Sequence, residues 1–311
     1  MVHKVCSVTR RGKNLRPLRG LRVLLLDAHD FPTSELRHCP GCLKRTAATK
    51  RGKRVQYYHR FVAAMLVHRS GCLVLDIELQ RPGEDEIACA KRLLQRLLQK
   101  CPKAFDAVGG NALYMNPGLW RLAASHRKHM VAVVKNENRD LVKDAEALFG
   151  ERDPVTFTTG STTCLWRDLD GFTTWPQFGP SVRVVKSVET KRVRRQHTRQ
   201  IEQITTTWMW ATTLPPAKAG TQAIFDIGHG RWCIENHGFN EMAHHWHLDH
   251  CYRHEENAIQ VMLLLLCLAY NIFHIMITFN LKPPLRDWPP SWIAGIISAE
   301  FWMAVKPAAP S

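Results

Sequence analysis

Three oxygen-bearing side chains sit where strands and a helix of one sheet would deliver them to a common place. Asp27 closes the apolar run LRVLLLDAHD, Asn111 follows the short run AFDAVGG, and Glu235 lies inside RWCIENHGFN. Oxygen ligands converging at a sheet end suit Mg²⁺ or Mn²⁺, hard cations that hold phosphate oxygens and activate a water or hydroxyl for in-line attack. Two such ions, about 3.5–4 Å apart, would stabilise both the entering and the leaving oxygen. The spacing makes Asp27, Asn111 and Glu235 candidates for such a site, while an acid at a strand end is also commonly solvated or a cap. An amide brings one neutral oxygen and no negative charge, so Asn111 is a weak substitute for a carboxylate. Around Glu235, Trp232 and Ile234 are expected to anchor a helix against the sheet.

The elements that must position these groups follow from pattern. LRVLLLDAHD reads as a buried strand, and QYYHRFVAAMLV with CLVLDIELQ as a hairpin turning at HRSG, so three strands open the fold. PGEDEIACAKRLLQRLLQK has acids in its first turn, apolar residues at 87, 90, 94 and 97 and a basic end, the signals of an amphipathic helix. AFDAVGG and MVAVVK are short strands, each followed by a helix. The order βββαβαβα requires crossover helices, hence a mixed sheet with helices on its faces. From about 150 to 222 the chain is rich in Thr and Trp and reads as a β-rich insertion. Helical pattern resumes at Glu235, and the tail LKPPLRDWPPSWIAG is expected to wrap the surface.

The 311 residues are 45% hydrophobic, enough for a real core, and 43 Lys and Arg against 27 acids leave a formal charge of +16. That excess points to a polyanionic partner, with DNA or RNA ahead of an anionic membrane. Ten cysteines without an export signal imply a reducing, cytoplasmic compartment. AIQVMLLLLCLAYNIFHIMITF has spanning length but carries Gln260, Asn271 and His274, and is expected to be a buried core helix rather than a membrane segment. Cys39 and Cys42, spaced as CxxC, with His38 and with His59 in YYHR, suit a structural Zn²⁺; a reduced turn is the other reading. HHWHLDHCYRH lacks the HExxH pattern of a zinc hydrolase, and its histidines are expected to pack between helices. The basic run with Lys191, Arg192, Arg194 and Arg195 is either a solvated strand face or a phosphate-contacting patch. Trp166, Trp175, Trp208 and Trp210 lie in the same region, where they could stack on bases.

The ordered motifs DAHDF, CPGCLKR, YYHRFVAAMLV, EDEIACAKRLLQRL, GGNALY, VVKNENRDL and RWCIENHGFNEM…HLDHCYRHEENAI together resemble DDE transposases of bacterial insertion sequences, in the group called insertion-sequence family four. The resemblance spans about residues 20–280. It implies a ribonuclease-H-like α/β fold with a β-rich insertion before the glutamate helix, and divalent-metal-dependent cleavage and strand transfer of DNA by a homodimer in the bacterial cytosol. It places Asp27 and Glu235 as catalytic carboxylates and Arg231 as a contact to the DNA backbone or an orienter of Glu235. Lys135, with Asn136, resembles a family stretch that could touch DNA, an ordinary strand-end lysine being the other reading. Three positions depart from the pattern, with Asn111 where the family has aspartate, Gly228 for tyrosine and Met242 for lysine. The expected organisation is a basic arm over 1–20, a catalytic domain in two parts over 21–149 and 223–285, the insertion over 150–222 and a Pro-rich tail over 286–311. With only 26 residues ahead of Asp27, an N-terminally truncated copy is expected, its function either DNA transposition with activity lost through Asn111 or that of a DNA-binding remnant that interferes with transposition.

Overall fold

A computed structural model describes residues 18–49, 52–68, 71–135, 139–196 and 199–305. The basic arm up to residue 17 and Asn136 lie outside them. Ten strands form one sheet in the order β2-β3-β1-β5-β6-β10-β9-β8-β7, with β4 also pairing β3. The first four are β1 (Val23–Ser34), β2 (Leu43–Thr49), β3 (Gly52–His68) and β4 (Gly71–Leu79). β1 lies antiparallel to β3 and parallel to β5 (Ala107–Gly110), which is parallel to β6 (His129–Val133). This is a mixed α/β sheet flanked by helices, consistent with a ribonuclease-H-like domain.

Helix α1 (Glu86–Lys100) crosses over between β4 and β5, and its start is fixed by the Asp85 carboxylate, which accepts the Ala88 N–H at 2.7 Å. Its buried face includes the expected Ile87, Ala90, Leu94 and Leu97. With α2 (Pro117–Ser125) and α3 (Arg139–Gly150), it covers one face of the sheet, packing on Leu24, Leu26, Val62 and Leu75. The opposite face, with Val23, Leu25, Ala63 and Met65, is covered by α4 (Thr221–Cys233), a π-helical turn (Ile234–Phe239) and the apolar α6 (Glu256–Asn280); α5 (Asn240–His245) links the last two.

Several elements differ from expectation. β1 does not end at Asp27 but pairs with β3 as far as Ser34, because Asp30 beyond it is satisfied by Arg60 at 2.6 Å and Arg45 at 2.8 Å. Asp27 is thus a mid-strand residue. LKRTAAT, a polar stretch in sequence, is the edge strand β2; its side chains beyond Leu43 are mostly solvated, so no apolar alternation announces it. The strands of the expected insertion, β7 (Val155–Thr159), β8 (Thr162–Phe172), β9 (Val182–Arg194) and β10 (Ile201–Thr212), extend the same sheet through β10 on β6. The tail forms the short α7 (Pro283–Arg286) and the apolar α8 (Pro290–Val305), helices that pattern had not announced.

Helix α6 is long and apolar enough, by length and composition, to cross a membrane, and 33% of its most apolar window is buried. Gln260 is exposed, and Asn271 and His274 have partners in this fold. The Asn271 amide donates to the Val74 carbonyl at 2.7 Å and accepts its N–H at 2.9 Å, covering strand β4, while His274 contacts Glu241 at 2.8 Å. The other face, with Val261, Leu265, Leu268 and Ile272, is exposed, so the helix is buried along one side only.

Candidate active site

Parallel pairing of Leu25 with Gly109 places Asn111 alongside Asp27, on the same side of the sheet. The geometry bears this out, since the Asn111 Nδ2 lies 3.3 Å from Asp27 Oδ1. Helix α4 brings Arg231 in from above. Its Nη1 donates to Glu235 Oε1 at 2.7 Å and stands 3.6 Å from Asp27 Oδ2, so one guanidinium sits between two carboxylates. The helix changes to π geometry at Ile234, which is fully buried, while the Glu235 side chain is 46% exposed beside it. π turns of this kind recur at functional sites because they re-aim one side chain without breaking the helix.

Asp27 is nearly buried, and its carboxyl is pushed up to about 6. Desolvation is the main cause, partly offset by the Ala28 N–H and by Arg231, with Glu235 and Glu86 pushing it further up. Glu86 itself is half-buried and raised by desolvation, with Arg60 at 3.6 Å. Asp106, at the start of β5, is held by Arg22 at 2.6 Å.

The orientation of Asn111 decides what it contributes. Its Oδ1 accepts the Leu113 N–H at 2.8 Å, capping the short turn Ala112–Tyr114, so the NH₂ group faces Asp27. A donor is turned to the carboxylate where a ligand oxygen was expected. Asp27 and Glu235 are nonetheless a donor set that fits one hard divalent cation, which takes its other ligands from water and phosphate. They do not supply the further carboxylate of a two-ion site.

Lys135 is exposed and lines, with Asn111, Leu113, Val133, Trp208 and Arg231, a cleft of about 520 Å³ beside these groups. Lys191, Arg192 and Arg194 are exposed on the outer part of β9, and Arg195, just beyond it, pairs with Glu202 at 2.6 Å. Trp175 is corrected: it is buried between Trp120 and Phe178, ring centroids 4.9 and 5.1 Å away, and has no face to offer a base. Trp166 and Trp210 are buried as well. Trp232 is 42% exposed and anchors edge-on to Trp208, so Ile234 rather than Trp232 carries the buried contact.

The positions departing from the transposase pattern are filled in other ways. At Gly228 a Cβ would fall 2.2 Å from the indole Nε1 of Trp210, so tryptophan occupies the space a side chain there would need. Met242 is fully buried in the core.

A second constellation lies against the middle of β3, around His59. The Sγ atoms of Cys39 and Cys42 are 3.8 Å apart, His59 Nε2 lies 3.3 and 3.4 Å from them, and His254 Nε2 lies 3.0 Å from Cys42 Sγ. These four are a group whose ligand atoms can hold a metal ion. His38 is not part of it; its ring stacks on Tyr57. His254, expected to be a packing histidine, is the member that sequence reasoning missed. Every described cysteine is a free thiol.

A mixed sheet of this topology, with carboxylates on β1 and on a helix laid across it, is consistent with a ribonuclease-H-like transposase domain. The transposase DDE domain family matches residues 18–272, and the chain belongs to that family. Its function is accordingly transposase-like. No curated protein matches the chain.

Proposed function

We propose that the chain is a DNA-binding transposase-like protein of the insertion-sequence family four group whose strand-cleavage chemistry is lost or strongly reduced. The observation that carries this is the amide of Asn111, which presents N–H to Asp27 and spends its oxygen on Leu113. Asp27 and Glu235 are the residues that would hold Mg²⁺ or Mn²⁺, and such an ion would supply Lewis acidity toward phosphate oxygens. Arg231 holds both carboxylates in place while no cation does, and is available to a DNA phosphate once one is bound. Lys135 at the cleft and the basic end of β9 would track the backbone. The catalytic domain is assigned to 21–149 and 223–285, with 150–222 as its insertion, acting in the bacterial cytosol. Such a protein would bind the element's DNA and obstruct an intact relative. Where it assembles, we propose a homodimer, which light scattering with and without DNA would establish.

Incubating the protein with the element's own DNA ends and Mg²⁺ or Mn²⁺ tests the reading. Little cutting is expected from the natural chain, and a gain of at least about 100-fold from Asn111→Asp, the scale on which one electrostatic group at a reacting centre acts. Robust cutting by the unmodified protein would overturn it.

A further inference from the structure

We infer that Cys39, Cys42, His59 and His254 form a closed structural Zn²⁺ site that pins the chain beyond the glutamate helix to strand β3. Tetrahedral zinc with bonds of about 2.3 Å to sulfur and 2.0–2.1 Å to nitrogen sets its donors about 3.8 Å apart for S–S and about 3.5 Å for S–N. The observed 3.8 Å between sulfurs and 3.0–3.4 Å between sulfur and imidazole match that spacing. Nothing bonded covalently dictates the coincidence, since the four donors come from a turn, a strand and the residue before the N-cap of α6.

The turn has the form of a metal-binding knuckle. The Cys42 N–H donates to the Cys39 carbonyl at 3.1 Å, and the Cys39 N–H points at Cys42 Sγ at 3.3 Å, a donor that would stabilise a thiolate. Gly41 permits the close seat against α6, because a Cβ there would lie 3.3 Å from Glu256 Oε2 and 3.5 Å from the His59 ring. Two thiolates and two imidazoles fill all four positions, so the site has no open position for catalysis.

Its placement gives the role. His254 sits 212 residues from Cys42, at the end of the non-helical stretch that follows α5. That stretch lies over β1, where Asp249 meets His29 at 2.9 Å, and the π turn holding Glu235 touches the same strand through Phe239, 5.0 Å from the His29 ring. Zinc at this point ties the turn that follows β1, the strand carrying Asp27, and β3 itself to the chain that follows the segment carrying Glu235. The inference stands whether or not the carboxylate site cuts DNA.

Metal analysis of the full chain purified without chelator is expected to give about one zinc per molecule, lost in Cys42→Ser and His254→Ala and kept in Cys251→Ser, a neighbouring thiol outside the set. His254→Cys, which keeps four ligands, should retain the metal even if His254→Ala does not fold. Cobalt exchanged into the site should show thiolate charge-transfer and tetrahedral d–d absorption. Stripping the zinc should speed hydrogen exchange across residues 231–254 in the natural chain. A folded, metal-free preparation that refuses cobalt would overturn the site, and exchange unchanged on stripping would overturn its role as a staple.

Discussion

The Asp27 carboxyl is the most informative single group. Its folded-state pKa, raised to about 6 against an ordinary 3.8, means that the metal-free fold binds the proton more tightly than the unfolded chain does. Stability from this group is therefore fully present below about pH 4 and lost as pH rises through 6, by up to ~3 kcal/mol. Urea unfolding of metal-free protein should show that loss between about pH 4 and 7, and Asp27→Asn should flatten it. A second expectation concerns Arg231, whose charge lowers the Asp27 pKa; Arg231→Gln should move the carboxyl titration, followed by ¹³C NMR, further upward. That Asp27 and Asn111 meet was legible in sequence because the parallel pairing of β1 with β5 determines it, although Asp27 lies mid-strand and not at the strand end expected. The tilt of the Asn111 amide was not, since it depends on a backbone N–H two residues on.

At the scale of elements, α4 and β10 are coupled through ring contacts of Trp208 and Trp210 with Phe225, His229 and Trp232, and most tightly through the indole of Trp210 over Gly228. Gly228→Ala forces either the helix or the ring to move, with an expected cost of about 1–3 kcal/mol measured as a lower denaturation midpoint. Asp27 should feel it, because Arg231 rides on the same helix. The entry to α4 is held separately by Arg183, which is buried, donates to Asp168 Oδ1 at 2.7 Å and to the Ala219 carbonyl at 2.5 Å. Helix α1 could be read from its cap, its apolar spacing and its basic end because local rules alone specify it. β2 could not, for an edge strand with solvated side chains leaves no periodic trace. His254 was equally hidden, as its partners are two hundred residues away and no helix spacing announces them.

The whole molecule is one ten-stranded sheet flanked by helices, with Lys191, Arg192 and Arg194 exposed at the outer end of β9. If DNA lies along it, binding measured by fluorescence anisotropy should weaken steeply with salt. Replacing Lys191, Arg192 and Arg194 together by alanine should then lower the slope of log K against log salt by ~2–3, about 0.9 for each lost phosphate contact. An unchanged slope would remove β9 from the interface. The register of β9 and β10 adds a ruler. Trp208 at the cleft pairs with Ser187, and Ile201 at the outer end pairs with Arg194, so the hairpin runs about seven residues, or ~23 Å, past the cleft. At ~3.4 Å per base step that is about seven base pairs. A nuclease footprint would accordingly be lopsided, with its protected margin on the hairpin side ending about seven base pairs from the position facing Asp27.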